Sequence, residues 1–231
     1  MRINHDFTHL SDRESGEVYP SLIDNAERHF SVAHHIFTVG DYPNSVAHLI
    51  LGAEEMVYAT LLLLRSKALY PEHIISYHEL LAPDRRGNGL IMDFFKVWFN
   101  IREILKLAGP KKQYSLKNLF QLLVVEFTGL VTGKDSLTWW QRADALKERC
   151  LHVHYSDGIV LPDIQVSKSD YNLAHHYVYL FRYEFYALQH KLINASDEDL
   201  TDLREQIDNR EFAGVLKSIL SSKRQTQEPA I

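Results

Sequence analysis

Between residues 148 and 158 the sequence ERCLHVHYSDG gathers Arg149, Cys150, His152, His154, Tyr155 and Asp157 into one short stretch. A guanidinium is a permanent cation carrying a planar fork of donors suited to anions. An imidazole gains and loses a proton near neutral pH. The spacing Arg149-x4-His154 therefore pairs a group that can hold an anion with one that can move a proton.

The bare spacing discriminates little. With thirteen arginines and thirteen histidines in the chain, an arginine followed by a histidine after four to six residues should arise by chance about twice. It occurs four times, at Arg2–His9, Arg28–His34, Arg28–His35 and Arg149–His154. Position separates them. The first match falls in a patternless arm. The two from Arg28 fall midway along a helical pattern, where His34 and His35 can simply flank a buried stripe. Arg149 and His154 fall where a helix must end, a junction that can expose side chains and backbone donors to a ligand. On a continuous helix five positions would set these two residues about 140° apart, so they converge only if the helix unwinds or two chains share a cleft. His152, three residues from Arg149, lies on nearly the same face and is a rival partner. Equally open is a solvated helix end with no chemical role.

Long stretches of helical periodicity position this junction. Ten glycines and seven prolines fall mostly between them. Residues 1–18 read as a flexible arm, followed by a helical domain over 19–222 and a disordered tail over 223–231. A first helix is expected from about Ser21, its candidate N-cap, to Val39, with Gly40 breaking it. A second follows DYPN and runs to about Leu69, its stripe Ala47, Leu51, Glu54, Tyr58 and Leu61. PDRRGNG (83–89) reads as a loop, with helices near 90–108 and 115–131 beyond it. The next helix begins after GKDS, capped by Asp135 or Ser136, with the stripe Trp139, Ala143, Leu146, Cys150 and Val153. YSDGIVLPD carries an Asp-Gly turn and a proline, so the helix is expected to end around His154, with a short turn or hairpin near residues 155–163. A long aromatic helix over 169–193 and two short ones capped near Ser196 and Asp208 complete an all-α bundle.

Composition limits the function classes. A net charge of −5 supplies no global basic field for nucleic acid, so such a contact needs a local patch. Arg85 and Arg86, with Lys111 and Lys112, are weak candidates for holding a phosphate backbone. A single cysteine excludes an internal disulfide and a Cys-rich zinc site. It lies on the apolar stripe and reads as core. No histidine has a glutamate three positions earlier and there is no His-Glu-x-x-His, so the ligand spacing of a di-iron bundle is missing and no metal or cofactor is expected. The polar N-terminus carries no signal-peptide pattern. The longest apolar run, VYATLLLL, is far short of the roughly 20 residues that span a bilayer. A cytoplasmic protein without a membrane segment is expected.

The stretch SLIDNAERHFSVAHHIFTVGDYPNSVAHLILGAEEMVYATLLLL resembles the opening helical pair of HEPN domains. The shared features are an Ala-rich first helix, the Gly40-x-Tyr42 turn, then Ala47 and the Ala53-Glu54-Glu55 core. More narrowly, KERCLHVHYSDGIVLPDI resembles the segment of AbiV-type abortive-infection proteins that precedes the last long core helix. The likeness spans roughly residues 19–193. Tyr58 stands at a position that is often lysine in the family, and His154 stands where an acidic residue is expected. The resemblance implies an antiphage toxin, a metal-independent endoribonuclease working as a homodimer on RNA, with a phage-encoded activator or a cognate inhibitor as a further partner. Carried onto this chain, it makes Arg149 and His154 the catalytic pair, with His152, Tyr155 and Asp157 in support. Glu54, a carboxylate inside an apolar stripe, needs a buried partner. It is expected to orient Arg149 or His154 across the bundle, or else to form a structural ion pair with another basic residue. The alternative from another class is a non-catalytic HEPN-like module that binds a phage or host protein, or a nucleotide.

Overall fold

The computed structural model describes residues 7–70, 76–81, 90–95, 134–155 and 159–208. Its elements run α1 (Asp12–Thr38), α2 (Tyr42–Ser66), α3 (Tyr77–Leu81), α4 (Lys134–Leu151), β1 (His154–Tyr155), β2 (Ile159–Val160), α5 (Pro162–Gln165), α6 (Lys168–Ile193) and α7 (Asp197–Asp208). Residues 90–95 are also helical. The fold is all-α, and among the described residues the one small departure is the antiparallel β1–β2 pair, in which His154 pairs with Val160 and Tyr155 with Ile159. The expected loop at 83–89, the helix at 115–131, the rest of the helix beginning at residue 90 and the tail at 223–231 lie outside the described residues.

The first helix starts well before Ser21. Ser11 caps it, and Ser11 and Glu14 form a reciprocal capping box, satisfying two backbone donors that would otherwise have no partner. Residues 12–18, read from sequence as part of a loose arm, are therefore helical. Pro20 sits inside the helix, and Ser21, expected as the N-cap, lies within it. Gly40 ends the helix as expected, at φ +87° and with its N–H on the Phe37 carbonyl. This left-handed conformation suits a residue without a Cβ.

Asp41 then caps α2 by accepting from the Asn44 N–H at 3.1 Å, with Pro43 in the first turn. This is the central helix. It packs against α1, α4, α5 and α6, and Leu61 to Leu64 are all buried, as in a helix surrounded on every side. Its length and apolar composition match a membrane span, but 78% of that window is buried inside the bundle, as in the core helix of a soluble protein. Gly52 lets α1 approach closely, since a Cβ there would lie within 2.9 Å of three atoms of the Phe30 ring.

An aromatic layer closes the other side of the core. Phe95 meets Trp140 and Phe181 edge-on, and Trp140 also contacts Phe181, the tilted arrangements that ring quadrupoles favour. Helix α6 is capped by a second box, Ser167 with Asp170. It is joined to α1 by Glu27, which accepts from Arg182 Nε at 2.8 Å, from Arg182 Nη2, and from the Tyr186 hydroxyl at 2.6 Å.

Candidate functional site

Helix α4 delivers the junction. Trp139, Ala143, Leu146 and Cys150 are buried, which fixes the rotation of the helix and turns Arg149 outward. Val153 departs from the expected stripe. It is 61% exposed because α4 ends at Leu151, two residues earlier. Asp135 and Ser136, expected as caps, lie within the first turn of a helix that already includes Lys134.

Arg149 is exposed. Its Nε donates to the Ala145 carbonyl at 3.4 Å. His152 follows the helix end and places Nε2 3.3 Å from Glu148, both side chains being largely exposed. The rival histidine therefore sits with a carboxylate on the surface rather than with Arg149. The backbone of His154 and Tyr155 forms β1, so the chain has left the helix between Arg149 and His154. The 140° offset of a continuous helix no longer separates them. Asp157, Arg85, Arg86, Lys111 and Lys112 lie outside the described residues.

Cys150 lies next to this junction without taking part. Burial pushes its thiol up to about 12, against the pull of Arg149. A thiol held protonated is a poor nucleophile.

Glu54 departs from the leading expectation. It bonds Lys147, one turn before Arg149's end of α4, rather than Arg149 itself. The Lys147 and Glu54 side chains are only 6% and 12% exposed, and Asp144 stands 3.5 Å from the same ammonium. Burial pushes the Glu54 carboxyl up to about 7, with Lys147 pulling it down and Asp144 pushing it further up. The ion-pair alternative is the one realised here, and it ties α2 to the helix that carries Arg149. Sequence reading missed Lys147, although the signal was present. Ser136, Trp140, Ala143, Lys147 and Cys150 recur at spacings of four and three, so a lysine stands inside a buried stripe just as Glu54 does in α2. Among the described residues no group of three or more His, Cys, Asp or Glu side chains is placed to hold a metal ion.

The HEPN-type AbiV family model matches residues 14–179, from the first turn of α1 to the middle of α6. The chain belongs to the AbiV family. The match takes in α1, α2, α4, the β1–β2 hairpin and the first half of α6, so the junction lies inside the region that defines the family. No curated protein and no solved structure matches the chain.

Proposed function

We propose that this AbiV-family protein is an abortive-infection toxin that cleaves RNA as a metal-independent endoribonuclease, with Arg149 and His154 carrying the chemistry. The observation that supports it most is the end of α4 at Leu151. That end leaves Arg149 exposed and releases the chain before His154. Neutral His154 takes the proton from a ribose 2′-hydroxyl, whose oxygen attacks the adjacent phosphorus. The Arg149 guanidinium binds the charge that accumulates on the non-bridging oxygens. The bond to the 5′-oxygen then breaks, leaving a 2′,3′-cyclic phosphate, and the departing oxygen takes up a proton. His152, Tyr155 and Asp157 support the junction, and Arg85, Arg86, Lys111 and Lys112 are weak contacts for the phosphate backbone. The protein works in the cytoplasm as a homodimer, under a phage-encoded activator or a cognate inhibitor.

The test is cleavage of RNA in EDTA by the wild type, Arg149→Ala and His154→Ala. Wild-type cleavage with both variants reduced at least a hundredfold is expected. Full activity in both variants overturns the assignment.

A second reading has its own observation. Leu151, Val153, Ile159, Leu161 and Ile164 are all exposed around the same hairpin, a grouping that suits a protein contact. In that reading the chain is a non-catalytic module binding a phage or host protein. It gains if the pure wild type cleaves no RNA.

A further inference from the structure

Helix α6 carries two adjoining concavities that the proposed cleavage chemistry does not use. The first, about 320 Å³, lies between α1 and α6. Phe30 and Val178 give it apolar wall, and Ser31, His34, His175 and Arg182 give it polar groups. The second, about 460 Å³, is lined by Tyr183, Tyr186 and Ala187 together with Tyr179 and Arg182, which line the first as well. His175, Tyr179 and Tyr183 follow one another at intervals of four residues. The first two rings are nearly parallel, at 16° with centroids 6.3 Å apart.

The two tyrosines are left open to water, Tyr179 at 56% and Tyr183 at 61% exposure. By contrast, Phe181 and Phe185 of the same helix are core. Arg182 is held in place by Glu27, yet Glu27 occupies only Nε and Nη2, so Nη1 makes no hydrogen bond among the described residues. The carboxylate takes three donors, counting the Tyr186 hydroxyl. Burial, reinforced by His34, holds His175 below the usual histidine range. At neutral pH its ring both donates and accepts.

From this arrangement we infer that the paired concavities form a track for single-stranded RNA, one base seated in each and the intervening phosphate at Arg182. Exposed aromatic rings beside a cation are the sequence-tolerant platform on which unpaired bases stack. Tyr179 and Tyr183 are one helical turn apart, about 6 Å. Successive stacked bases lie about 3.4 Å apart along a strand, so the track fits bases splayed from one another and excludes a duplex. The inference takes its choice of ligand from the ribonuclease reading, but binding here is a separate property.

The test uses the full chain and a short, fluorescently labelled single-stranded 2′-O-methyl oligoribonucleotide, which lacks the free 2′-hydroxyl that cleavage needs. Fluorescence anisotropy should show binding by the wild type. Tyr179→Ala and Tyr183→Ala, both at exposed positions, should each weaken it about tenfold. Ser31→Trp, which fills the first concavity, should weaken it as well. Unchanged affinity in both tyrosine variants overturns the track, as does equal affinity for duplex RNA. Loss of self-association in those variants with RNA affinity intact would make the face a contact between copies and overturn it too. If the wild type cleaves RNA and the tyrosine variants bind and cleave normally, the track fails while the ribonuclease stands. If nothing cleaves but binding falls in the tyrosine variants, the track stands alone.

Discussion

At the scale of single residues, Glu54 shows how burial outweighs a neighbouring charge. Its ordinary value of 4.5 rises to about 7 although Lys147 is bonded to it. A carboxyl whose folded pKa is raised contributes stability that is full below the unfolded value and lost as pH climbs through the folded one. The wild type should therefore lose thermal stability relative to Glu54→Gln as pH rises from about 4.5 to about 7. Parallel pH profiles of the two proteins would mean that Glu54 ionises as an exposed carboxyl does. The same residue marks a limit of sequence reading. A charge in an apolar stripe announces a buried partner, and that much is local. Which partner it meets depends on how α2 and α4 are rotated against each other, and that rotation selects Lys147 over Arg149.

At the scale of elements, the contact between α1 and α2 is the most exacting. The Phe30 ring occupies the space that a Cβ at Gly52 would need. Gly52→Ala should thus destabilise the fold by about 1–3 kcal/mol through overpacking, read from the midpoint of urea unfolding. An unchanged midpoint would show that the ring can move aside. One contact away, His29 and His48 share a hydrogen bond between their Nδ1 atoms at 2.9 Å. Only one proton fits between two nitrogens, so both rings cannot be protonated on these atoms while the bond lasts. Burial holds both histidines below their usual range, with His48 and Arg28 adding to the effect at His29. A lowered folded pKa gives stability that is present above the unfolded value of 6.5 and lost as pH falls. Below about pH 6.5 the wild type should lose stability more steeply than His48→Gln in thermal melts. This opposes the trend at Glu54, so each effect is read against its own variant. The helices α2 and α6 were legible from their periodicity, although α2 runs Tyr42–Ser66 rather than from after DYPN to about Leu69. The start of α1 was not: Ser21 offers a capping side chain, but the helix starts at the box of Ser11 and Glu14.

At the scale of the whole molecule, residues far apart in sequence hold the bundle closed. Glu27 on α1 is clasped by Arg182 and Tyr186 on α6, across more than 150 positions. Tyr186→Phe removes one of its three donors and should cost about 1 kcal/mol, measured by urea unfolding. An unchanged midpoint would mean that water replaces the hydroxyl without loss. The sequence by itself determined what is decided within a few turns of chain. That covers the all-α class, the cap at Ser196, the turn that follows α4, and the order of motifs that marks the AbiV family. Periodicity and capping are local, and a single strand of text contains them. The tertiary structure alone decided the partner of Glu54, the His29–His48 bond, the clasp at Glu27 and the two concavities along α6. Each of these joins different helices or opens beside one. Such features follow from how the helices rotate to bury their stripes, a choice that the whole core makes together.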